Sequence, residues 1–392
     1  MNIPQGYKQT ELGIIPEDWA VRQLGDCVNV YDGTHQTPNY VPVGIPFYSV
    51  ENVTANNFSH TKHISPNEHK ILTSRYKIQK GDILMTRIGS IGVCKYVDWD
   101  VDASFYVSLA LLKPYNIDAL YMSMASNATY FKDSILLNSL QFAIPQKINL
   151  GNISNVKILV PPIAEQRAIA EALSDVDGLI AALDKKIAKK QLLKQGAMQQ
   201  LLTGKKRLPG FTDEWVEKKL GKMSHIKTGS RNGDQAVENG KYPFFVRSQK
   251  VYAIDTYSFD GEAILVPGEG GIGNIFHYIN GKFDFHQRVY KISDFADEVC
   301  GKFIYFYMSR YFGEYALSLT VKATVDSLRL PTFEEFVICM PSDIKEQQAI
   351  ATILSDMDKE IADLEAQRDK YRLLKSGMMQ KLLTGQIRLK TK

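Results

Sequence analysis

Two stretches of the chain carry apolar residues at alternating spacings of four and three. In the first they are Val176, Ile180, Leu183 and Ile187; in the second, Met357, Ile361 and Leu364. A mean spacing of 3.5 marks the seam of a coiled coil, and the pattern falters only at Lys190 and Arg368. Each stretch opens after proline (Pro161 and Pro162, then Pro341), which suits a first helical turn. Each closes at Thr-Gly, with Gly204 and Gly385 placed as left-handed caps. The pattern predicts two helices of about 40 residues, each about 60 Å long, which suits a spacer better than part of a compact domain. Elsewhere the chain is rich in Val, Ile, Tyr and Phe punctuated by Gly, Asn and Asp, a pattern of strands and turns. Residues 117–136 and 300–318 predict helices packed on those strands.

The two helical stretches are copies of one another. Residues 165–208 align without a gap on 346–389, an offset of 181, with about 25 of 44 positions identical; "EQ", "AIA", "LSD", "LLK" and "LLTG" occur in both. An internal repeat dictates symmetry and so precedes any other reading of the fold.

Charge predicts how the copies pair. The second is acidic early (Asp356, Asp358, Glu360, Asp363, Glu365) and more basic late (Arg368, Lys370, Arg372, Lys375, Lys381). The first has Asp175, Asp177 and Asp184 followed by Lys185, Lys186, Lys189, Lys190 and Lys194. Laid antiparallel, acidic halves face basic halves, and each helix complements its own dipole. The alternative is a set of solvated faces, each pair contributing well under about 1 kcal/mol.

A weaker echo precedes each helix. Residues 16–26 match 212–222, pairing Trp19 with Trp215 and Leu24-Gly25 with Leu220-Gly221. Residues 81–97 parallel 262–279, each an apolar run, a glycine-rich turn and a second apolar run; 143–153 parallel 323–333. The expected fold class is α+β: two similar globular domains, mainly antiparallel β with packed helices, separated by two long helices that form an antiparallel coiled coil in a pseudo-two-fold arrangement. The expected boundaries are 1–155 and 209–338 for the globular regions, and 156–208 and 339–392 for the helical spacers.

Composition adds bounds but no function. Hydrophobic content of 44% and charged content of 23% are ordinary for a globular protein. No run approaches 18 uncharged apolar residues, and the opening residues lack a signal-peptide pattern, so a cytoplasmic protein is expected. Cys27, Cys94, Cys300 and Cys339 are dispersed and read as reduced thiols. A net charge of +4 permits nucleic-acid binding without demanding it.

Two divergent globular regions alternating with two near-identical helices that open "PxxxEQ" or "IKEQQAIA" and close "LLTG" resemble the specificity (S) subunit of type I restriction–modification systems. The opening "IPEDWAVRQLGD" and the segment "DGTHQTP" belong to the same resemblance, which covers the whole chain. It implies that the globular regions, 1–155 and 209–338, are target recognition domains, each reading one half of a bipartite site in double-stranded DNA. It implies a coiled coil that sets the half-site spacing and docks two methyltransferase (M) subunits, with restriction (R) subunits joining them. S-adenosylmethionine, ATP and Mg would then belong to the partner subunits, with no cofactor in this chain and no catalysis of its own. Two similar domains meeting two strands of a duplex in equivalent ways make a divided site physically sensible.

Candidate DNA contacts follow from polar loops between strands. In the first region they are Tyr31, Asp32, Thr34, His35 and Gln36 of "YDGTHQTP", Arg87 and Ser90 beside a glycine turn, and Gln141, Gln146 and Lys147. In the second they are Lys227, Ser230, Arg231 and Asn232; Arg247, Ser248, Gln249 and Lys250; His286, Gln287 and Arg288; and Lys322 and Thr324. Ordinary surface turns would have the same composition. Uncovered seam residues also make self-association of the isolated chain an expectation.

Other motifs fail on context. "GEGGIG" at 268–273 fits a dinucleotide fingerprint, but the segment after it reads as further strands with an Asn-Gly turn, not the helix that fold requires. His60, His63 and His69 have no cysteines or paired acids beside them, so a solvated loop is expected and no metal. No Walker loop, GxSxG elbow or adenine-methyltransferase signature is present. Two alternatives stay open: the specificity subunit of a related type IIB or IIG-like system, and a coiled-coil scaffold bearing protein-binding domains.

Overall fold

A computed structural model describes residues 3–140, 142–319 and 327–389; the candidates Gln141, Lys322 and Thr324 lie outside them. The chain divides into two compact units. One comprises Met1–Ala182 with Arg368–Lys392, the other Leu183–Gln367. Each unit therefore holds one globular region and a portion of both long helices, Ile163–Leu201 and Ile344–Leu382, of 39 residues each.

In the first unit the central sheet has four antiparallel strands, with Leu109–Pro114 between Val28–Asp32 and Ile83–Thr86, and Cys94–Tyr96 at the edge. The run Ile83–Thr86 is buried throughout, because the sheet is covered on both faces. Ile83 and Met85 face one cluster with Ala110, Leu112, Tyr121, Phe131, Trp19 and Leu173. Leu84, Leu109 and Leu111 face another with Tyr48, Val53, Val97 and Phe105. The alternation is the two-residue period of a strand serving two cores. A second four-stranded sheet includes Ile45–Tyr48, which pairs in parallel with Ser104–Phe105.

The second unit repeats this scheme as a single six-stranded sheet. Ile264 and Val266 face the cluster around Phe303, Phe312 and Phe333, whereas Ala263 and Leu265 face Phe245, Phe283 and Phe285. One strand joins what are two short strands in the first unit: His277–Phe285 pairs antiparallel with Phe259–Pro267 and in parallel with Tyr242–Phe245. The expected Asn280-Gly281 turn is therefore corrected, since both residues lie inside this strand. Gly281 stands opposite Gly261, at φ of 142° and 150°, so the ladder passes where no Cβ crowds it.

The helix expected over 117–136 is two helices, Ala119–Ala125 and Thr129–Leu137. At the break, Ser126 Oγ and Asn127 Nδ2 bond back to the Ser123 carbonyl at 2.7 and 3.3 Å, the competition with helix bonds expected of short polar side chains. In the second region a single helix, Gly301–Leu319, is continuous. Within 156–208, Lys157–Val160 is a strand paired with Ala20–Gln23; at the second helix, Val337–Pro341 pairs with Trp215–Lys219.

Both long helices end in left-handed glycines, Gly204 at φ 67° and Gly385 at φ 71°. Lys206 N–H donates to the Gln200 carbonyl at 3.1 Å and Ile387 N–H to that of Lys381 at 3.2 Å, which satisfies carbonyls a helix end would otherwise leave open. Within each unit the helix portions run antiparallel. In the second unit Lys190 meets Glu360 at 2.7 Å and Lys194 meets Asp358, so rising numbers on one helix face falling numbers on the other. Leu183, Ile187, Ile361 and Leu364 form one apolar cluster there, while Met357 packs on the globular core. In the first unit Asp177 meets Lys375 at 2.7 Å; Val176 is buried and Ile180 half-buried.

The repeated "EQ" has two tasks. Gln166 Nε2 donates to the Pro161 carbonyl at 2.7 Å, while its Oε1 accepts from Asp118 N–H at 2.8 Å. Gln347 Nε2 likewise donates to the Pro341 carbonyl at 2.9 Å, and its Oε1 accepts from Cys300 N–H at 2.9 Å. Asp118 and Cys300 each immediately precede a helix of the globular region, so the glutamines join long helix to domain. The preceding Glu165 and Glu346 are buried and take the arginines Arg388 and Arg207.

Candidate nucleic-acid interface

At one end of each central sheet, separate loops are tied together by backbone hydrogen bonds, and the ties recur in the two units. In the first, Arg87 N–H donates to the Ser108 carbonyl at 2.9 Å and Ile148 N–H to the Arg87 carbonyl at 3.0 Å. In the second, Gly268 N–H donates to the Arg288 carbonyl at 2.8 Å and Leu328 N–H to the Gly268 carbonyl at 2.7 Å. The loop after the first strand joins the same cluster. Thr34 N–H donates to the Phe105 carbonyl and accepts, through its own carbonyl, from Val107 N–H at 3.0 Å. Its counterpart Arg231 accepts from Gln287 N–H at 2.9 Å.

Glycine makes these approaches possible. A Cβ on Gly33 would lie 2.5 Å from the Tyr106 backbone, and one on Gly229 would lie 2.1 Å from the Phe285 carbonyl oxygen. Both contacts are far closer than any side chain tolerates, so the glycine before Thr34 and before Ser230 is a steric requirement.

In the first unit the edge brings together Asp32, Thr34, His35, Arg87, Gln146 and Lys147. His35 Nε2 meets Asp32 Oδ2 at 2.6 Å with its side chain largely exposed. Arg87 is 4% exposed: its Nε donates to the Val107 carbonyl at 2.7 Å and its terminal nitrogen lies 3.2 Å from Asp32. Its guanidinium is committed to holding the loops rather than free to meet a base. Gln36 and Ser90 are exposed, and Thr86 Oγ1 bonds the Ser90 carbonyl. Tyr31 is half-buried against Tyr76, ring centroids 4.6 Å apart, and belongs with the inner cluster. Burial, with Asp32 nearby, pushes the Tyr76 hydroxyl above its ordinary range.

In the second unit a carboxylate gathers the cations. Glu269 meets Arg288 at 2.7 Å and Arg247 at 3.3 Å. Asp284, fully buried, accepts from Arg231 Nε at 3.0 Å and from Ser258 Oγ at 2.8 Å. Asn232 Oδ1 accepts from Gln287 Nε2 at 2.7 Å. His286 is buried behind these groups and its Nδ1 accepts from Arg288 N–H at 2.9 Å. Burial, then Arg247 and Arg288, hold its pKa below the ordinary histidine value. Ser230, Gln249 and Lys250 are exposed, and Ser248 accepts through its carbonyl from His277 at 3.1 Å. Lys227 lies apart, on the strand His225–Thr228 opposite Lys291.

The sequence pattern did not single out Glu269 or Asp284. Glu269 stands in the same "GEGGIG" that fails as a dinucleotide loop; a lone acid in a glycine-rich turn was the available signal, its arginine partners lying 19 and 22 residues away in sequence. The expectation of a solvated loop at the histidines is corrected in part. Lys62–Ile64 is a strand and Pro66–Leu72 a helix, and His69 meets Ser104 Oγ at 2.9 Å and Asp102 at 3.0 Å. The cysteines are free thiols, and among the described residues no helix is long and apolar enough to cross a membrane.

Comparison with known proteins accords with this geometry. The family model described as the type I restriction modification DNA specificity domain matches residues 16–193 and again 212–371. A putative type I restriction enzyme MjaX specificity subunit of Methanocaldococcus jannaschii is 25% identical, over 99% of this chain and 98% of its own. The MjaVIII specificity subunit of the same organism is 24% identical, over 98% and 97%. The crystal structure of a type I restriction-modification S subunit from M. genitalium superposes with a TM-score of 0.69 at 15% identity, over 97% of this chain and 98% of that one, a likeness of fold. With both of its halves matched in turn, the chain belongs to the type I restriction modification DNA specificity domain family.

Proposed function

We propose that this chain is the DNA-recognition subunit of a type I restriction–modification complex, with each globular region reading one half of a bipartite site. The observation that carries the reading is the pair of loop edges: the same backbone ties hold different side chains in the two units. A shared scaffold with divergent polar groups suits two half-sites of different sequence. Base-edge contacts supply specificity and phosphate contacts register, so His35, Gln36, Gln146 and Lys147 serve one half, and Ser230, Asn232, Gln287 and Arg288 the other. Glu269 holds Arg247 and Arg288 in place until phosphates compete for them.

The long helices set the half-site spacing and dock methyltransferase subunits. Leu192 and Leu193 recur as Leu373 and Leu374, and all four are at least 50% exposed, with lysines and arginines nearby. An exposed apolar pair written twice supports two equivalent docking surfaces. Chemistry, with S-adenosylmethionine, ATP and Mg, then resides in the methyltransferase and restriction partners.

The test is a map of N6-methyladenine across the genome of the source organism, with and without this gene. Loss of one split motif, methylated on opposite strands of its halves, is the expected result and delivers both half-sites and the spacer. An unchanged methylome, together with failure of the chain to capture a methyltransferase, would overturn the reading.

A further inference from the structure

One loop on the first edge has a composition unlike the others. Leu140 and residues 142–147 belong to a hairpin tip closed by Leu140 N–H donating to the Lys147 carbonyl at 2.8 Å, with Ala143 N–H turned back to the Leu140 carbonyl at 3.1 Å. The tip is strapped to the neighbouring glycine turn, where Gly89 N–H donates to the Gln146 carbonyl at 2.8 Å and Ile88 bridges Lys147. At its end Phe142 is 98% exposed and Ile144 100% exposed. No other described aromatic residue exceeds the 52% of Tyr115. Isolated apolar residues on a surface need no explanation. A phenylalanine and an isoleucine held clear of all packing, at the end of a loop pinned at both sides, are a different matter.

Resting on the recognition reading above, we propose that Phe142 and Ile144 are an apolar wedge that inserts into the target duplex and partly unstacks one base-pair step. Apolar side chains used this way kink DNA at flexible steps and so read deformability alongside base edges. Continuity with the loop edge and the adjoining Lys147 favour a duplex over a protein as occupant: the tip is tied to the glycine turn that follows Arg87, and Arg87 N–H in turn bonds the Ser108 carbonyl. The device belongs to one half only. In the parallel between 143–153 and 323–333, Phe142 and Ile144 correspond to Lys322 and Thr324, so the other region presents polar groups in sequence.

The experiment uses the full chain assembled with its methyltransferase partner and a duplex of the methylome-derived site, with 2-aminopurine placed in turn at each step of both halves. Apart from the target adenine that the methyltransferase extrudes in each half, fluorescence should rise at one step of one half and at none of the other. Phe142→Ala with Ile144→Ala should abolish the rise and weaken binding about tenfold, with an unchanged melting temperature; Phe142→Trp should keep the rise. Site-specific binding with no rise, or a rise unaffected by the double variant, overturns the wedge and leaves the recognition reading standing. So does a double variant that loses its methyltransferase partner while its fluorescence signal persists. Absence of any site-specific binding by the unaltered complex would remove both.

Discussion

Arg388 grips Glu165 through Nε and a terminal nitrogen, each at 2.6 Å, although 223 residues separate them. Arg207 grips Glu346 in the same fork at 2.7 Å. Glutamate and arginine occupy matching places in the two repeats, and within each unit the arginine ending one copy closes on the glutamate beginning the other. This is why "EQ" and "LLTG" recur together: neither end is satisfied by its own helix.

Arg388→Ala should therefore destabilise the first unit. Glu165 is 2% exposed and also accepts from Trp19 Nε1 at 3.0 Å, so the substitution leaves a buried carboxylate without its counter-ion. A fully buried pair broken in this way costs about 3–5 kcal/mol; with Arg388 about a third exposed, solvent screening reduces this to about 1–2 kcal/mol. Urea unfolding should show a lower midpoint, and replacing Glu165 by Gln in the same chain should recover part of the loss. An unchanged midpoint would mean that the fork is ornamental.

Ile361 and Leu373 separate stability from docking. Ile361 is 8% exposed and packs against Ile187 and Leu364, so Ile361→Ala should cost about 2–4 kcal/mol. Leu373 is 76% exposed. Leu373→Ser together with Leu374→Ser should shift stability by less than about 0.5 kcal/mol while weakening capture of a methyltransferase partner. Chemical unfolding and co-purification read the two effects independently. Full capture by the serine variant would place the docking surface elsewhere.

Periodicity made the long helices legible, because a seam of Ile, Leu and Val leaves a 3.5-residue signature that no strand shares. The left-handed ends at Gly204 and Gly385 were equally readable, since few residues besides glycine adopt that backbone. The loop edge was legible only as composition. Arg231 and Arg288 look alike in sequence, yet one is anchored on buried Asp284 and the other on half-buried Glu269. Arg87 appears as a free cation beside a turn and is instead a buried strut. Such roles depend on partners 19 to 55 residues away, which no local pattern encodes. The strand through Asn280-Gly281 was misread for the converse reason: a strong local turn signal was overridden by the glycine facing it across the ladder.

Arg231→Lys, which keeps a cation beside buried Asp284, should leave folding nearly intact and weaken specific binding by about 1–3 kcal/mol if the guanidinium meets a base. Asp284→Asn should impair both binding and stability. Asp284 holds Ser258 Oγ and the Phe285 N–H as well as Arg231, so its change disturbs the loop as a unit. Titration of a labelled cognate duplex, paired with thermal melting, distinguishes the two. If both substitutions gave the same pattern, Arg231 would be structural and not a reader.

His277 and His286 couple folding to mild acid. Both are buried, at 9% and 7% exposure, and burial is the main cause holding each pKa below the ordinary histidine value. For His286 the neighbouring Arg247 and Arg288 push the same way, with Glu269 opposing them. A histidine with a depressed folded pKa binds fewer protons folded than unfolded. Its contribution is present above the unfolded value, about 6.5, and is lost as the pH falls below that value and through the folded one. The melting temperature should thus fall as the pH drops from 7 towards 5, with a shallower slope in His286→Gln. Asp18, held low by its hydrogen bonds to Arg388, adds its own loss only near and below about pH 4, outside that window. Melting that is level from pH 7 to 5, or a variant with the original slope, would show that the buried imidazoles do not govern acid stability.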